Sequence, residues 1–157
     1  MVLAWAVTLA ASPGVGAAEF ALPDLDGRIH RLSQYQGRWV VVNYWATWCP
    51  PCLDELPELL EFHEAHAPRV VLLGVNYEDI GEQRLRRFVD DYFISYPVLR
   101  AEPDGSTFAG PLVGLPTTYL VSPEGRVVAT RLGGVTRRSL EALLRRHGAL
   151  PLQEARR

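Results

Sequence analysis

The sequence predicts a three-layer α/β/α sandwich on a mixed β-sheet, and three observations predict it. Two continuous apolar, β-branched runs, Trp39–Trp45 and Val70–Val75, read as strands buried on both faces. Each is followed by a stretch whose apolar residues recur at helical spacing. The last third of the chain then switches to two short β-rich runs around Ser122-Pro123-Glu124-Gly125, a hairpin signature, before a final amphipathic helix. Strands alternating with helices, closed by a hairpin and a helix, give helical layers on a sheet with both parallel and antiparallel pairs.

The elements follow in order. Asp26-Gly27, set between Phe20-Ala21-Leu22 and Arg28–Leu32, predicts an N-terminal β-hairpin, and Ser33–Gly37 a short turn into the central strand. Beyond that strand Leu53, Leu56, Leu59 and Leu60 share one helical face, with acids gathered in the early turns where the positive end of the helix favours them. Pro68 ends this helix ahead of the second strand. Glu82–Tyr92 places Leu85, Phe88, Val89 and Tyr92 on one face, and Tyr96–Leu99 reads as a short strand. Thr117–Val121 and Arg126–Thr130 are the hairpin strands. Thr136 caps a last helix carrying Leu140, Leu143 and Leu144, with Arg145, Arg146 and His147 in its final turn and Gly148 to stop it.

Composition narrows the function. A chain of 157 residues, 48% hydrophobic and 22% charged, makes one ordinary globular domain with its own core. A net charge of −2 without a like-charged block gives no electrostatic case for nucleic acid or an acidic membrane. All 16 cationic residues are arginine, so lysine chemistry such as a Schiff base is excluded. Val2–Ala11 is apolar but for Thr8 and runs into Ser12–Ala18, rich in small residues, before the first charge at Glu19. Residues 1–18 are therefore expected to be a signal peptide or an N-terminal anchor, although no Lys or Arg precedes the apolar run. The domain is expected over 19–150, with 151–157 a disordered tail.

The only two cysteines, Cys49 and Cys52, stand three apart at the junction between the central strand and the following helix. A helix N-terminus favours a thiolate over a thiol, and this spacing lets the pair close into a disulfide with little backbone movement. Other readings compete. As a purely structural bridge the pair would close a loop of four residues, worth only about 2 kcal/mol on the chain-entropy estimate. A metal module would need His63 and His66, but His63 lies eleven residues beyond Cys52 on the same helix, about 16 Å along its axis, leaving at most a copper site on the two thiols.

The string Asn43-Tyr-Trp-Ala-Thr-Trp-Cys-Pro-Pro-Cys52 resembles the thioredoxin superfamily, and within it the TlpA/ResA-type branch of exported thiol-disulfide reductases, over residues 19–147. Pro57 matches the kinking proline of the motif helix, an unlikely chance occupant at a cost of about 3 kcal/mol. Leu115-Pro116-Thr117 matches the loop whose proline is cis and faces the cysteines. Pro116 falls later than in a minimal thioredoxin, and residues 76–97 would supply the branch's strand-plus-helix insertion.

The resemblance implies a redox-active Cys49–Cys52 disulfide, with Cys49 the exposed nucleophile and Cys52 the buried resolving thiol. It implies a partner-binding platform of Trp48, Pro50, Pro51, Leu115, Pro116 and Thr117. Asn43 stands where thioredoxins bury an acid, so the proton of Cys52 is expected to go to an acid at the end of the second strand, Glu78 ahead of Asp79. Glu55 matches an acid of the motif helix, read either as part of the partner surface or as a charge favourable to the helix. Trp45 reads as core, and His63 and His66 as helix-surface residues. Neither Pro50 nor Pro51 has an N–H to offer the Cys49 sulfur, which predicts a weakly stabilised thiolate and a reducing pair.

No cofactor or metal is expected. The expected partners are a disulfide-bearing protein and, as electron donor, a membrane thiol-shuttling protein; nucleic acid is not among them, and the protein is expected to be an extracytoplasmic monomer. A peroxidase on the same fold is the nearest rival, but Ala46 holds the place where such sites carry threonine, and the nearby Cys52 favours disulfide exchange.

Overall fold

The computed structural model describes residues 19–151. The expected N-terminal signal or anchor and all but the first residue of the expected tail lie outside them. At Asp26-Gly27 the chain turns back, with Gly27 at φ +78° and the Asp24 carboxylate accepting the N–H groups of Asp26 and Arg28. Ala21–Pro23 (β1) thereby pairs antiparallel with Ile29–Arg31 (β2), and a 3-10 turn over Leu32–Tyr35 leads into Trp39–Trp45 (β3).

There follow Pro50–His66 (α1), Val70–Tyr77 (β4), Glu82–Asp91 (α2) and Val98–Ala101 (β5). The helix of the expected insertion falls inside residues 76–97, and its strand lies just beyond them. A hairpin of Ser106–Thr107 (β6) and Gly110–Pro111 (β7) was not expected; each strand is too short to show a period. Thr117–Val121 (β8), Val127–Leu132 (β9) and Arg137–Arg146 (α3) complete the chain, with Thr136 capping α3 through the Ser139 N–H.

The main sheet has the order β5-β4-β3-β8-β9, with β3 parallel to β4, β4 parallel to β5, and β8 antiparallel to both β3 and β9. This is the mixed sheet the sequence predicts, with the cysteine-bearing segment leaving its central strand. Alternate residues of β3 serve opposite faces. Val41 and Trp45 join Leu56, Leu59 and Phe62 of α1, Leu85 of α2, and Leu140, Leu143 and Leu144 of α3 in one core. Val40, Val42 and Tyr44 join Phe20, Leu32, Tyr77 and Tyr119 in another, with Phe108 against it. Helices thus cover one face, while the two small hairpins and the 3-10 turn form the layer on the other, in place of the second helical layer of the expected α/β/α sandwich.

Candidate active site

Cys49 caps α1 in extended conformation, its N–H donating to Ala46 O at 3.3 Å. Cys49 and Cys52 are joined as a disulfide with Cα atoms 5.2 Å apart, within the ordinary range. Cys52 is 1% exposed, and so is Cys49 nearly, at 3%, which corrects the expectation of an exposed nucleophile. The oxidised pair packs into the helix-side core with Trp45, Ala46 and Leu56, and Leu115 leans on the same cluster. What solvent meets is the rim: Trp48, 66% exposed, with Pro50 and Pro51.

The first turn of α1 has an unusual donor balance. A helix opens with four N–H groups that have no partner within it, the usual source of hydrogen bonds to a capping anion. Here those positions are Cys49, Pro50, Pro51 and Cys52: the first donates to Ala46 O at 3.3 Å, the two prolines have no N–H, and Cys52 N turns to Cys49 O at 3.0 Å. None of the four is left for the Cys49 sulfur.

The opposing loop is built from Gly114 to Thr117. The Leu115–Pro116 peptide is cis, as the sequence resemblance implies. Pro116 O accepts from Gly133 N at 2.8 Å, and the buried Thr117 hydroxyl donates to Gly114 O at 2.7 Å. Thr117 therefore serves its own loop with its side chain. Pro116 is buried and Leu115 half-buried at the edge of the cysteine cluster.

Glu78 sits where β4 ends, but its carboxylate is occupied. Oε1 accepts from Thr47 N at 2.7 Å and from Asn76 Nδ2 at 2.8 Å, and Oε2 accepts from the Thr47 hydroxyl at 3.1 Å. It clamps the loop two residues ahead of Cys49, and none of these bonds reaches a cysteine. Asp79 is exposed.

The acid inside the site is Glu55. It lies one turn beyond Cys52 on the same helical face and is 3% exposed, buried instead of displayed to a partner. Asn43 Nδ2 donates to its Oε1 at 2.8 Å and to Thr118 Oγ1 at 3.0 Å, while Val135 N donates to Glu55 Oε2 at 2.8 Å. Burial raises its pKa to about 7, against the opposing pull of the Val135 and Asn43 hydrogen bonds. A carboxyl poised there exchanges protons at neutral pH. Two sequence signals pointed to it: the i, i+3 spacing from Cys52, and an asparagine in a buried strand that needs a polar partner.

The histidines also depart from expectation. His66 Nε2 bonds Glu141 of α3 at 3.0 Å, and His63 is partly buried with Nδ1 inside. Among the described residues no group of His, Cys, Asp and Glu is arranged to hold a metal ion. The buried, bonded pair with an ionisable carboxyl one turn away is suited to thiol–disulfide exchange.

Comparison with known proteins agrees. The AhpC/TSA family profile matches residues 13–130. The thiol-disulfide oxidoreductase ResA of Geobacillus thermodenitrificans is 33% identical over 135 residues, covering 84% of this chain and 76% of that protein. ResA of Bacillus subtilis is 33% identical over 128 residues, covering 80% and 70%. Among solved structures, a DsbF homologue from Corynebacterium diphtheriae superimposes with a TM-score of 0.73 at 27% identity, over 88% of this chain and 98% of that one. The chain belongs to the AhpC/TSA family, with a thioredoxin-like fold and the Cys-x-x-Cys pair of a ResA-like thiol-disulfide oxidoreductase.

Proposed function

We propose that this protein reduces disulfides in other proteins outside the cytoplasm. One observation carries the direction: the first four amide positions of α1 offer the Cys49 sulfur no hydrogen bond. A thiolate without these donors is poorly stabilised, which disfavours the dithiol form relative to the disulfide and makes the pair an electron donor.

In the reaction, the Cys49 thiolate attacks one sulfur of the partner disulfide, forming a mixed disulfide and releasing the other sulfur as a thiolate, which takes up a proton. Glu55 then accepts the Cys52 proton; Cys52 sulfur attacks Cys49 sulfur, the bond from Cys49 to the partner breaks, and the second partner thiolate leaves and is protonated. Two electrons pass to the partner with two protons, one that Cys52 gave up to Glu55 and one that left Cys49 for solvent when its thiolate formed, and Cys49–Cys52 is left oxidised. Trp48, Pro50, Pro51 and Leu115 offer an apolar rim, and the backbone of Leu115, ahead of the paired strand, an attachment for an extended segment.

The family resemblance supports partners that must present two free thiols, such as an apocytochrome c before haem attachment, and a membrane thiol-shuttling protein as electron donor. The apolar residues 1–18 and the same resemblance support export. No helix among the described residues is long and apolar enough to cross a membrane. The protein acts as a monomer in this reading.

The test is the reduction potential of the Cys49–Cys52 couple, by equilibration in dithiothreitol buffers with Trp48 fluorescence as readout. A value near about −270 mV, that of thioredoxin, is expected. A value near about −120 mV would make the protein an oxidant and reverse the assignment.

A further inference from the structure

Where β3 and β4 stop pairing, a side chain takes over from the backbone. Their parallel register runs to Trp45 opposite Asn76 and, carried two residues further, sets Thr47 level with Glu78. There the Glu78 carboxylate accepts the Thr47 N–H at 2.7 Å and the Thr47 hydroxyl at 3.1 Å. Asn76, 1% exposed, holds the carboxylate in turn, its Nδ2 donating at 2.8 Å. One side chain thereby ties the end of the second strand to the loop that leaves the first.

What the tie holds is a four-residue turn. Cys49 N donates to Ala46 O at 3.3 Å, closing a turn whose two central residues are Thr47 and Trp48. Ala46 is buried at the end of the sheet and Cys49 is fixed by its disulfide, and Glu78 holds the stretch between them. Trp48, 66% exposed, belongs to neither apolar core. An indole standing in solvent has no packing of its own to set its direction, so that direction follows from the backbone of the turn.

The two acids of the neighbourhood are thus divided. Glu55 stands one turn from Cys52, placed for its proton, whereas every bond of Glu78 ends on Thr47 or Asn76.

We infer that Glu78 is a positioning residue for partner binding: acting through Thr47, it fixes the Ala46–Cys49 turn and so holds Trp48 in place to meet the partner. The inference rests on Trp48 belonging to the partner-binding rim. A fixed turn brings Trp48 to the partner already in place, whereas a loose one must be ordered on binding, at a cost to affinity. The tie needs acceptors and not charge. Glutamine keeps Oε1 for the two N–H groups and presents Nε2 to the Thr47 hydroxyl oxygen, so Glu78→Gln preserves the tie and Glu78→Ala removes it.

The experiment follows single turnovers of the pre-reduced protein with a short peptide closed by one disulfide and with a small neutral disulfide, quenched in acid, over a range of substrate concentrations. Glu78→Ala is expected to raise the half-saturating peptide concentration about tenfold and to slow the small disulfide by less than about twofold. Glu78→Gln should stay within about twofold of the parent on both. In a Trp48→Ala background, Glu78→Ala should add less than about twofold, because the residue it holds in place is gone.

If Glu78→Gln is as impaired as Glu78→Ala, the charge or proton of the carboxyl is what matters and the positioning role is overturned. Equal losses on the two substrates, a full further loss in the Trp48→Ala background, or a Glu78→Ala protein that matches the parent would overturn it as well, leaving the rim reading intact. If Trp48→Ala alone leaves the peptide's half-saturating concentration unchanged, the rim reading falls and the inference with it. Thr47→Val keeps the N–H tie and drops the hydroxyl, and decides the matter should Glu78→Ala not fold: a rise of about two- to threefold is expected, and a parent value overturns the inference.

Discussion

The two faces of the sheet bury comparable aromatic groups and treat their polar atoms differently. On the hairpin side, Tyr119 shares a hydrogen bond with the Thr107 hydroxyl at 3.1 Å, Tyr77 donates to Asp104 and accepts from Gly105 N, and Tyr44 finds the Phe108 backbone. On the helix side lie the four buried side-chain atoms that, among the described residues, have no protein partner, together with a carboxyl whose pKa is raised to about 7. Asn43 and Trp45 come from β3, as Tyr44 does, so the strand alone does not make the difference; α1 and the segment ahead of β5 supply Glu55, His63 and Tyr96. An interior with every polar group paired is built for stability, while one that keeps a carboxyl of raised pKa beside the cysteines has given up stability where a proton must move.

The sharpest way to break this comparison is the pH dependence of folding, measured on the oxidised protein by denaturant unfolding. Below about pH 4.5 Glu55 is protonated in both the folded and unfolded chains. Between that pH and about 7 the unfolded chain has released a proton that the folded chain keeps, so stability falls as pH rises; above 7 the loss is complete. The drop is on the order of 3 kcal/mol. Glu55→Gln should remove this slope relative to the parent. An unchanged slope would mean that the helix-side acid is ordinary and the two faces are alike.

A smaller effect sharpens the contrast from the other side. Tyr77→Phe removes the donor to Asp104 and leaves Gly105 N without its acceptor, and should cost about 1–2 kcal/mol in unfolding free energy with exchange activity unchanged. A loss of exchange activity in Tyr77→Phe would mean that the hairpin face serves the reaction as well.

The smallest stability effect is expected at the rim. Trp48→Ala removes a side chain on a residue 66% exposed and should leave unfolding within about 0.5 kcal/mol of the parent. In steady-state assays, KM for a peptide disulfide should rise by about tenfold, equivalent to about 1.4 kcal/mol, while a small neutral disulfide is reduced at the parent rate. Equal losses on both substrates would place Trp48 in support of the cysteines and not in partner binding.

Much of this arrangement was legible in the chain. The continuous β-branched runs could only be buried strands, and a Cys-x-x-Cys pair between strand and helix, followed by Pro57 and Leu115-Pro116, pointed to the fold and the reactive pair together. The readings that needed revision concern what surrounds that pair. Cys49 was expected at the surface on the family resemblance, yet the oxidised pair is packed under its rim. Glu78 was favoured as the acid because it ends the strand beside the motif, yet its oxygens hold Thr47 and Asn76. Glu55 had an adequate explanation as a charge in an early helical turn, and that explanation concealed its burial.

Local sequence determined the elements, because periodicity, turn residues and caps act over a few residues and leave their mark in the order of side chains. It also determined the donor-poor start of α1, since two prolines lack N–H groups whatever surrounds them. Only tertiary structure decided which acid stands inside the site and which polar atoms go unpartnered. Burial of Glu55 depends on α3 and its preceding loop closing over α1 and on Asn43 meeting it from β3, contacts between residues 12 and 80 positions apart. A carboxyl's pKa follows from how much water those distant segments remove, a property that no short stretch of sequence carries.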